Sequence, residues 1–253
     1  HADRFEDMSR AAEDAAVATL RGFAARAQMI DPTDLSHDDA LTREVLIFEA
    51  ETKAALGEMH MAEFAVDPIF GIQVQATILP PMFSVPTAEV AEAMVAKYRG
   101  YGGAIDQLTD RHLEGVASGR VPPAFAVDSV ITQLDDWLAL PVDEDPLLNT
   151  QVPDEFTEDQ TAAYRRALAE VVRDVVRPAV ERQRDALRDK VRPVARPEGQ
   201  EGLRWLADGD LAYARSIHRY TTLPMQAGEI HEIGLQQITR LADEYRAIGA
   251  QAL

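Results

Sequence analysis

Six histidines and 43 acidic residues are the groups that could bind a metal or move a proton in this chain. A zinc peptidase helix needs His-Glu-x-x-His, because two imidazoles one turn apart share a face and the intervening glutamate acts as general base. His231-Glu232 opens that pattern, but Leu235 stands where the second imidazole belongs. His231 is therefore expected as a helix-surface or capping residue. His60 and Glu63 are three apart, the ligand spacing of carboxylate-bridged di-metal bundles. Those bundles use Glu-x-x-His twice with two further glutamates; here the order is reversed and no second copy exists. The pair is expected at the partly solvated edge of a helix. His112 and Glu114 are two apart and point to different sides of a helix. His37 opens a helix beside Asp38 and Asp39, and His1 is terminal. No metal ligand and no catalytic residue is assigned.

Nucleophilic and phosphate chemistry is no better supplied. There is no cysteine, which removes thiolate metal sites, a thiol nucleophile and a disulfide framework. The chain has no Gly-x-Ser-x-Gly elbow, no phosphate-binding Gly-x-x-x-x-Gly-Lys and no Gly-x-Gly-x-x-Gly after a strand. Gly100-Tyr101-Gly102-Gly103 is expected as a turn or helix break. The segment 161–200 carries ten basic and six acidic residues, alternating as on a solvated helix face.

The elements behind these residues are helical. Leu41, Val45, Phe48, Ala55, Met59 and Ala62 form one stripe, capped by Ser36 with Asp39 three residues on. Val127, Val130, Ile131, Leu134 and Leu138 form a second, entered through Pro122-Pro123. Tyr164, Leu168, Val171 and Val175 form a third, started by Thr157 with Gln160. Ile230, Ile233, Ile238, Leu241, Tyr245 and Ile248 form a fourth. Helices are also predicted at about 7–29 and 87–118, while Ile69 to Phe83 stays ambiguous. Pro178 should kink or restart its helix. The fold class is all-α, a large array of about seven to nine helices with little or no sheet. We expect a single helical domain over 1–253, with the acidic stretch 141–158 as a solvated connection and the Pro-rich break 192–202 as a second.

Composition sets the boundaries. The 253 residues are 46% hydrophobic and 27% charged, ordinary globular chemistry. With 25 basic against 43 acidic residues the net charge is −18, which repels phosphate backbones and anionic lipid, so nucleic acid and membrane are not expected as partners. No apolar run approaches the ~18 residues of a membrane span. Three lysines beside 22 arginines suggest genomic bias rather than arginine chemistry.

From Gly202 the sequence becomes distinctive: Gly202-Leu203-Arg204-Trp205-Leu206-Ala207-Asp208-Gly209-Asp210-Leu211-Ala212-Tyr213, then Ile217-His218-Arg219-Tyr220-Thr221-Thr222, then Glu229-Ile230-His231-Glu232-Ile233-Gly234-Leu235. With Asp67-Pro68, Val121-Pro122-Pro123 and Val176-Arg177-Pro178-Ala179, this resembles the bacterial domain-of-unknown-function-885 family (DUF885), helical proteins of roughly twice this length grouped with gluzincin-type metallopeptidases. Ala212-Tyr213 departs from the paired aromatics common in the family, and Pro224-Met225-Gln226-Ala227-Gly228-Glu229 from its usual Pro-Glu-Glu helix entry.

The resemblance implies that the family's zinc helix lies beyond the matched block, so no catalytic or metal residue is carried onto this sequence. This chain is then expected to be the N-terminal scaffold and cleft wall of a zinc-dependent, peptidase-like hydrolase, not catalytic alone. Zinc belongs to the full-length protein, as does the peptide-like substrate. A missing C-terminal half or a homodimer partner is expected to cover an apolar face near the C-terminal helix. Tyr213, Arg219 and Tyr220 are the candidate substrate contacts, since rings and a guanidinium can grip a peptide. The location expected is cytoplasmic, with export left open. The alternative is a non-catalytic helical binding or interaction module.

Overall fold

The computed structural model describes residues 3–252, so His1 lies outside the described residues. The protein is all-α, and no strand occurs among the described residues. One isolated parallel bridge pairs Pro123 with Arg196. The helices are α1 (Arg10–Gln28), α2 (His37–Gly57), α3 (Ile72–Ile78), α4 (Ala88–Ser118), α5 (Ala124–Ala139), α6 (Glu158–Val171), α7 (Arg177–Ala186), α8 (Gly209–Thr221) and α9 (Ala227–Ala252).

Local chemistry sets many of these ends. Ser36 Oγ accepts from the Asp39 amide at 3.2 Å, satisfying a donor left over by the first turn of α2. Thr157 and Gln160 form a reciprocal capping box at the start of α6, with bonds of 2.9 and 3.2 Å. Pro178 lies in the first turn of α7, where its missing amide removes a bond to the preceding turn. The chain accommodates this with a wider π-helical turn at Val172–Val176. A second π-helical turn, Leu187–Val191, precedes the Pro-rich break.

The described residues form two compact units, 3–15 with 60–205 and 16–59 with 206–252. The first holds the large core. Ile105, Val127, Leu134, Leu168, Val176, Val180 and Leu187 are buried where α4, α5, α6 and α7 pack together. Gly102 does not break α4. It lets α4 approach the backbone closely, because a Cβ there would sit 2.9 Å from Val175 Cγ1 and 3.1 Å from the Val175 carbonyl oxygen. Tyr101, beside it, is buried and donates to the Ile72 carbonyl at 2.5 Å. The expected glycine break is therefore a packing contact inside a continuous helix. The ambiguous segment 69–83 resolves into α3 and a 3-10 turn at Pro80–Met82.

The second unit buries little. Its fully buried residues include Ala24, Ala27, Ala50, Ala54 and Ala212, with Met59, Leu206 and Ile217 as the larger apolar side chains. Leu41 and Val45 of the expected α2 stripe are 59% and 53% exposed. Beyond the half-buried Ile230 the α9 stripe is uncovered, from Leu241 at 44% to Tyr245 at 74% exposed. Both helices form where the 3.6 period places them, but part of each marked face stays open; on α2, Phe48 and Ala55 are half-buried while Leu41 and Val45 are exposed.

The acidic stretch 141–158 differs from a solvated connection at its centre. Asp143, Glu144, Asp154 and Glu155 are exposed, whereas Asp145, Leu147, Thr150 and Pro153 are buried. Two 3-10 turns, Val142–Glu144 and Pro146–Leu148, fold it onto the core.

Candidate functional site

Tyr213 and Tyr220 are seven residues apart on α8, two turns along one side of the helix. They are 47% and 81% exposed. Arg219 is placed differently. Its two terminal nitrogens donate to the two Glu49 carboxylate oxygens at 2.7 and 2.9 Å, and one also donates to Thr52 Oγ1 at 3.1 Å. Hydrogen bonds from Arg219, then from Lys53, hold the Glu49 carboxyl down to about 2. One turn earlier, Arg215 donates to the Ala55 carbonyl at 2.6 Å and lies 3.2 Å from Glu58. His218 meets the Phe48 ring edge-on at 5.4 Å. Arg215, His218 and Arg219 thus join α8 to α2, and the two tyrosines remain free to meet a ligand. A substrate carboxylate would have to displace Glu49 from Arg219.

A second constellation lies in the first unit, and sequence reasoning did not anticipate it. His60 does not continue α2: its backbone is left-handed, φ 46° and ψ 49°. Glu63 follows in a 3-10 turn and is buried, not at a solvated edge. Its carboxylate accepts from Arg10 at 2.6 Å and faces Arg120 Nε at 3.2 Å. Glu13 accepts from the buried Arg111 at 2.6 Å and lies 2.9 Å from His60 Nδ1. Glu114 is 3.5 Å from Arg111 and 3.8 Å from Arg10. Gly115 permits this crossing, since a Cβ there would lie 2.4 Å from the Glu63 carbonyl oxygen and 2.5 Å from that of Arg120. Three guanidiniums therefore face three glutamates, which satisfies the requirement that buried charge be paired. The cluster ties the start of α1, the 60–63 turn and the end of α4. Its bonds join residues 53 and 98 positions apart, and no local spacing signals such pairs.

The family described as "Bacterial protein of unknown function (DUF885)" matches residues 1–252. The chain belongs to the DUF885 family. Among solved structures it is similar to one described as "the putative lipoprotein from Colwellia psychrerythraea", with a TM-score of 0.77 at 17% identity. The match covers 94% of this chain and 43% of that one, so the chain spans less than half of that structure's length. At this identity the likeness is one of fold. None of the curated proteins matches the chain.

Within the described part of this DUF885 chain, no three His, Cys, Asp or Glu side chains gather in a group that could hold a metal ion. The described residues do not fit a zinc centre, and no catalytic step is placed on them. His231 is exposed on α9. His112 is buried, and burial holds its imidazole down to about 4, opposed by the backbone at Ala65 and aided by the charge of Arg111. No helix among the described residues is long and apolar enough to cross a membrane. Among the basic residues of 161–200, Arg182 pairs with Asp106 at 2.7 Å, Arg188 with Asp135 at 2.6 Å and Arg192 with Asp128 at 2.5 Å.

Proposed function

We propose that this DUF885 region is the scaffold and cleft wall of a zinc-dependent, peptidase-like hydrolase, the zinc helix being supplied by a further polypeptide segment. The observation that carries the reading is the uncovered surface of α8 and α9. Tyr213, Tyr220, Ile238, Leu241, Tyr245 and Ile248 are each at least 44% exposed. Isolated exposed apolar residues are ordinary, but a run of them along one helix marks an interface or a binding wall. The resemblance of the 202–235 block to gluzincin-type proteins supplies the class of chemistry. Match to less than half of a solved relative leaves room for the catalytic part. The role of this region is to orient a peptide and exclude water beside the reacting centre. Tyr213 and Tyr220 offer rings for the substrate, while Arg219 positions α8 through Glu49.

The deciding experiment is metal analysis and peptide hydrolysis on a full-length polypeptide that carries this region. Stoichiometric zinc and zinc-dependent cleavage, with KM raised by Tyr220→Ala, support the reading. A full-length protein that binds no zinc and cleaves no peptide overturns it, as does stoichiometric zinc bound tightly by the 253-residue chain alone.

A further inference from the structure

In the first unit, α3 and α5 line a cleft of about 390 Å³. That is within the range of small-molecule sites. It is remote in sequence from α8 and α9, and no part of the proposed cleft-wall role uses it. Val74, Leu140 and the Trp137 indole supply apolar wall. Gln73 and Gln133 supply polar wall, and both are held in place from behind. Gln133 Nε2 donates to the Pro68 carbonyl at 2.8 Å, and Gln73 Nε2 donates to Gln133 Oε1 at 2.9 Å and to the Asp67 carbonyl at 2.8 Å. These bonds fix the amide orientations before any ligand arrives, so little ordering is lost on binding.

The charge of the cleft has one sign. Its ionisable lining residue is Asp136, an exposed carboxylate; no lysine, arginine or histidine lines it. Asp135, next in sequence, is occupied by Arg184 at 3.6 Å and Arg188 at 2.6 Å. Asp136 has neither an ion pair nor a hydrogen-bond partner of its own among the described residues. The Trp137 ring is anchored by its indole nitrogen, which donates to the buried Asp145 carboxylate at 2.9 Å. That bond fixes the indole, so that its ring stands as part of the cleft wall.

We propose that this cleft binds a compact organic ammonium: a primary amine carried on an apolar or aromatic body. The ammonium pairs with Asp136 at the mouth, and the body packs against Val74, Leu140 and the Trp137 ring. An anionic ligand would meet a carboxylate with no counter-charge. A neutral apolar one would gain the wall but not the ion pair.

Benzylammonium is the probe, with benzyl alcohol and benzoate as isosteric neutral and anionic controls. The chain has two tryptophans, so Trp205→Phe in the full 253-residue protein leaves Trp137 as the fluorescent reporter. The expected result is saturable change in Trp137 emission with benzylammonium, binding at least tenfold weaker for benzyl alcohol, and none for benzoate. Asp136→Asn is expected to abolish the preference of amine over alcohol with an unchanged circular dichroism spectrum and melting temperature, since Asp136 supports no other residue. Val74→Phe fills the cleft and is expected to abolish binding of both. The proposal is overturned if emission does not saturate with benzylammonium, if benzyl alcohol binds equally well, or if Asp136→Asn titrates like its parent.

Discussion

Arg177 closes a 3.2 Å ion pair on Asp145, whose side chain has no exposed surface at all. The same carboxylate accepts from Trp137 Nε1 at 2.9 Å and from the Leu147 amide at 3.1 Å. Arg177 reaches on to the carbonyls of Leu138 and Leu140 at 2.5 and 2.8 Å. Burial pushes the Asp145 carboxyl up from the usual carboxylate range, with these donors working against it. The pair thus closes the acidic loop over the core where α5 ends and α7 begins.

Removing one partner should be costly. We expect Asp145→Ala to destabilise the first unit by about 3–5 kcal/mol, because it leaves a buried guanidinium and an indole N–H unpaired. Urea denaturation measures this. The double change Asp145→Leu with Arg177→Met should lie nearer the parent than either single variant, since two apolar groups replace two charges together. Equal or additive losses would show that the pair is not a closed unit.

The crossing at Gly115 gives a steric prediction. Backbone oxygens flank it at 2.4 and 2.5 Å from a built Cβ, and backbone cannot swing away as a side chain can. We expect Gly115→Ala to destabilise by about 1–3 kcal/mol or more by overpacking, against the slight gain that alanine ordinarily brings inside a helix. Thermal melts of the two proteins decide it.

His112 carries a pH prediction. Its folded value of about 4 lies below its ordinary 6.5, so the unfolded chain binds a proton first as pH falls. Its contribution is intact above about 6.5 and is lost progressively down to about 4, where the folded state also protonates. The loss approaches roughly 3 kcal/mol at 1.36 kcal/mol per unit. His112→Leu should flatten the stability profile between those limits. Urea midpoints measured across that window test it, and an unaltered slope in the variant would assign the acid sensitivity elsewhere.

The helices were legible because they obey short-range rules. Ser36 and Thr157 announce caps, and Val127, Val130 and Leu134 mark the face of α5 that is buried. Gly102 was misleading because its use is tertiary: it admits Val175 rather than turning the chain. His60 shows the same limit, since nothing near it signals a left-handed backbone. The Glu63 cluster was invisible because Arg10, Glu13, Arg111 and Arg120 converge only after folding. Periodicity also cannot say what covers a face: it marks the α9 stripe as apolar, and only the family resemblance, with a partner expected near the C-terminal helix, pointed to that face as open.

The α8 residues should separate by role. Arg219→Ala removes the bidentate contact with Glu49 and should loosen α8 from α2, seen as faster amide exchange in Gly209–Thr221. Tyr220→Ala removes a ring that is 81% exposed and should leave stability within about 0.5 kcal/mol of the parent. A Tyr220→Ala protein that melts markedly earlier would make the ring a structural contact rather than a candidate for substrate.

The α9 face leads to the last prediction. The second unit buries chiefly alanines, and each buried methylene-sized group contributes only about 0.8 kcal/mol. Ile233, Ile238, Leu241, Tyr245 and Ile248 lie on the uncovered stripe, available to a further polypeptide segment or a second copy. The chain alone is therefore expected to associate as concentration rises, or to bind an environment-sensitive apolar dye. Ile238→Asp with Tyr245→Asp should abolish either behaviour while leaving the melting temperature nearly unchanged, because neither side chain is buried in the described chain. Sedimentation equilibrium and dye titration measure the two effects. A chain that stays monomeric at every concentration and binds no dye would remove the case for a covered α9, and with it the structural support for the cleft-wall role.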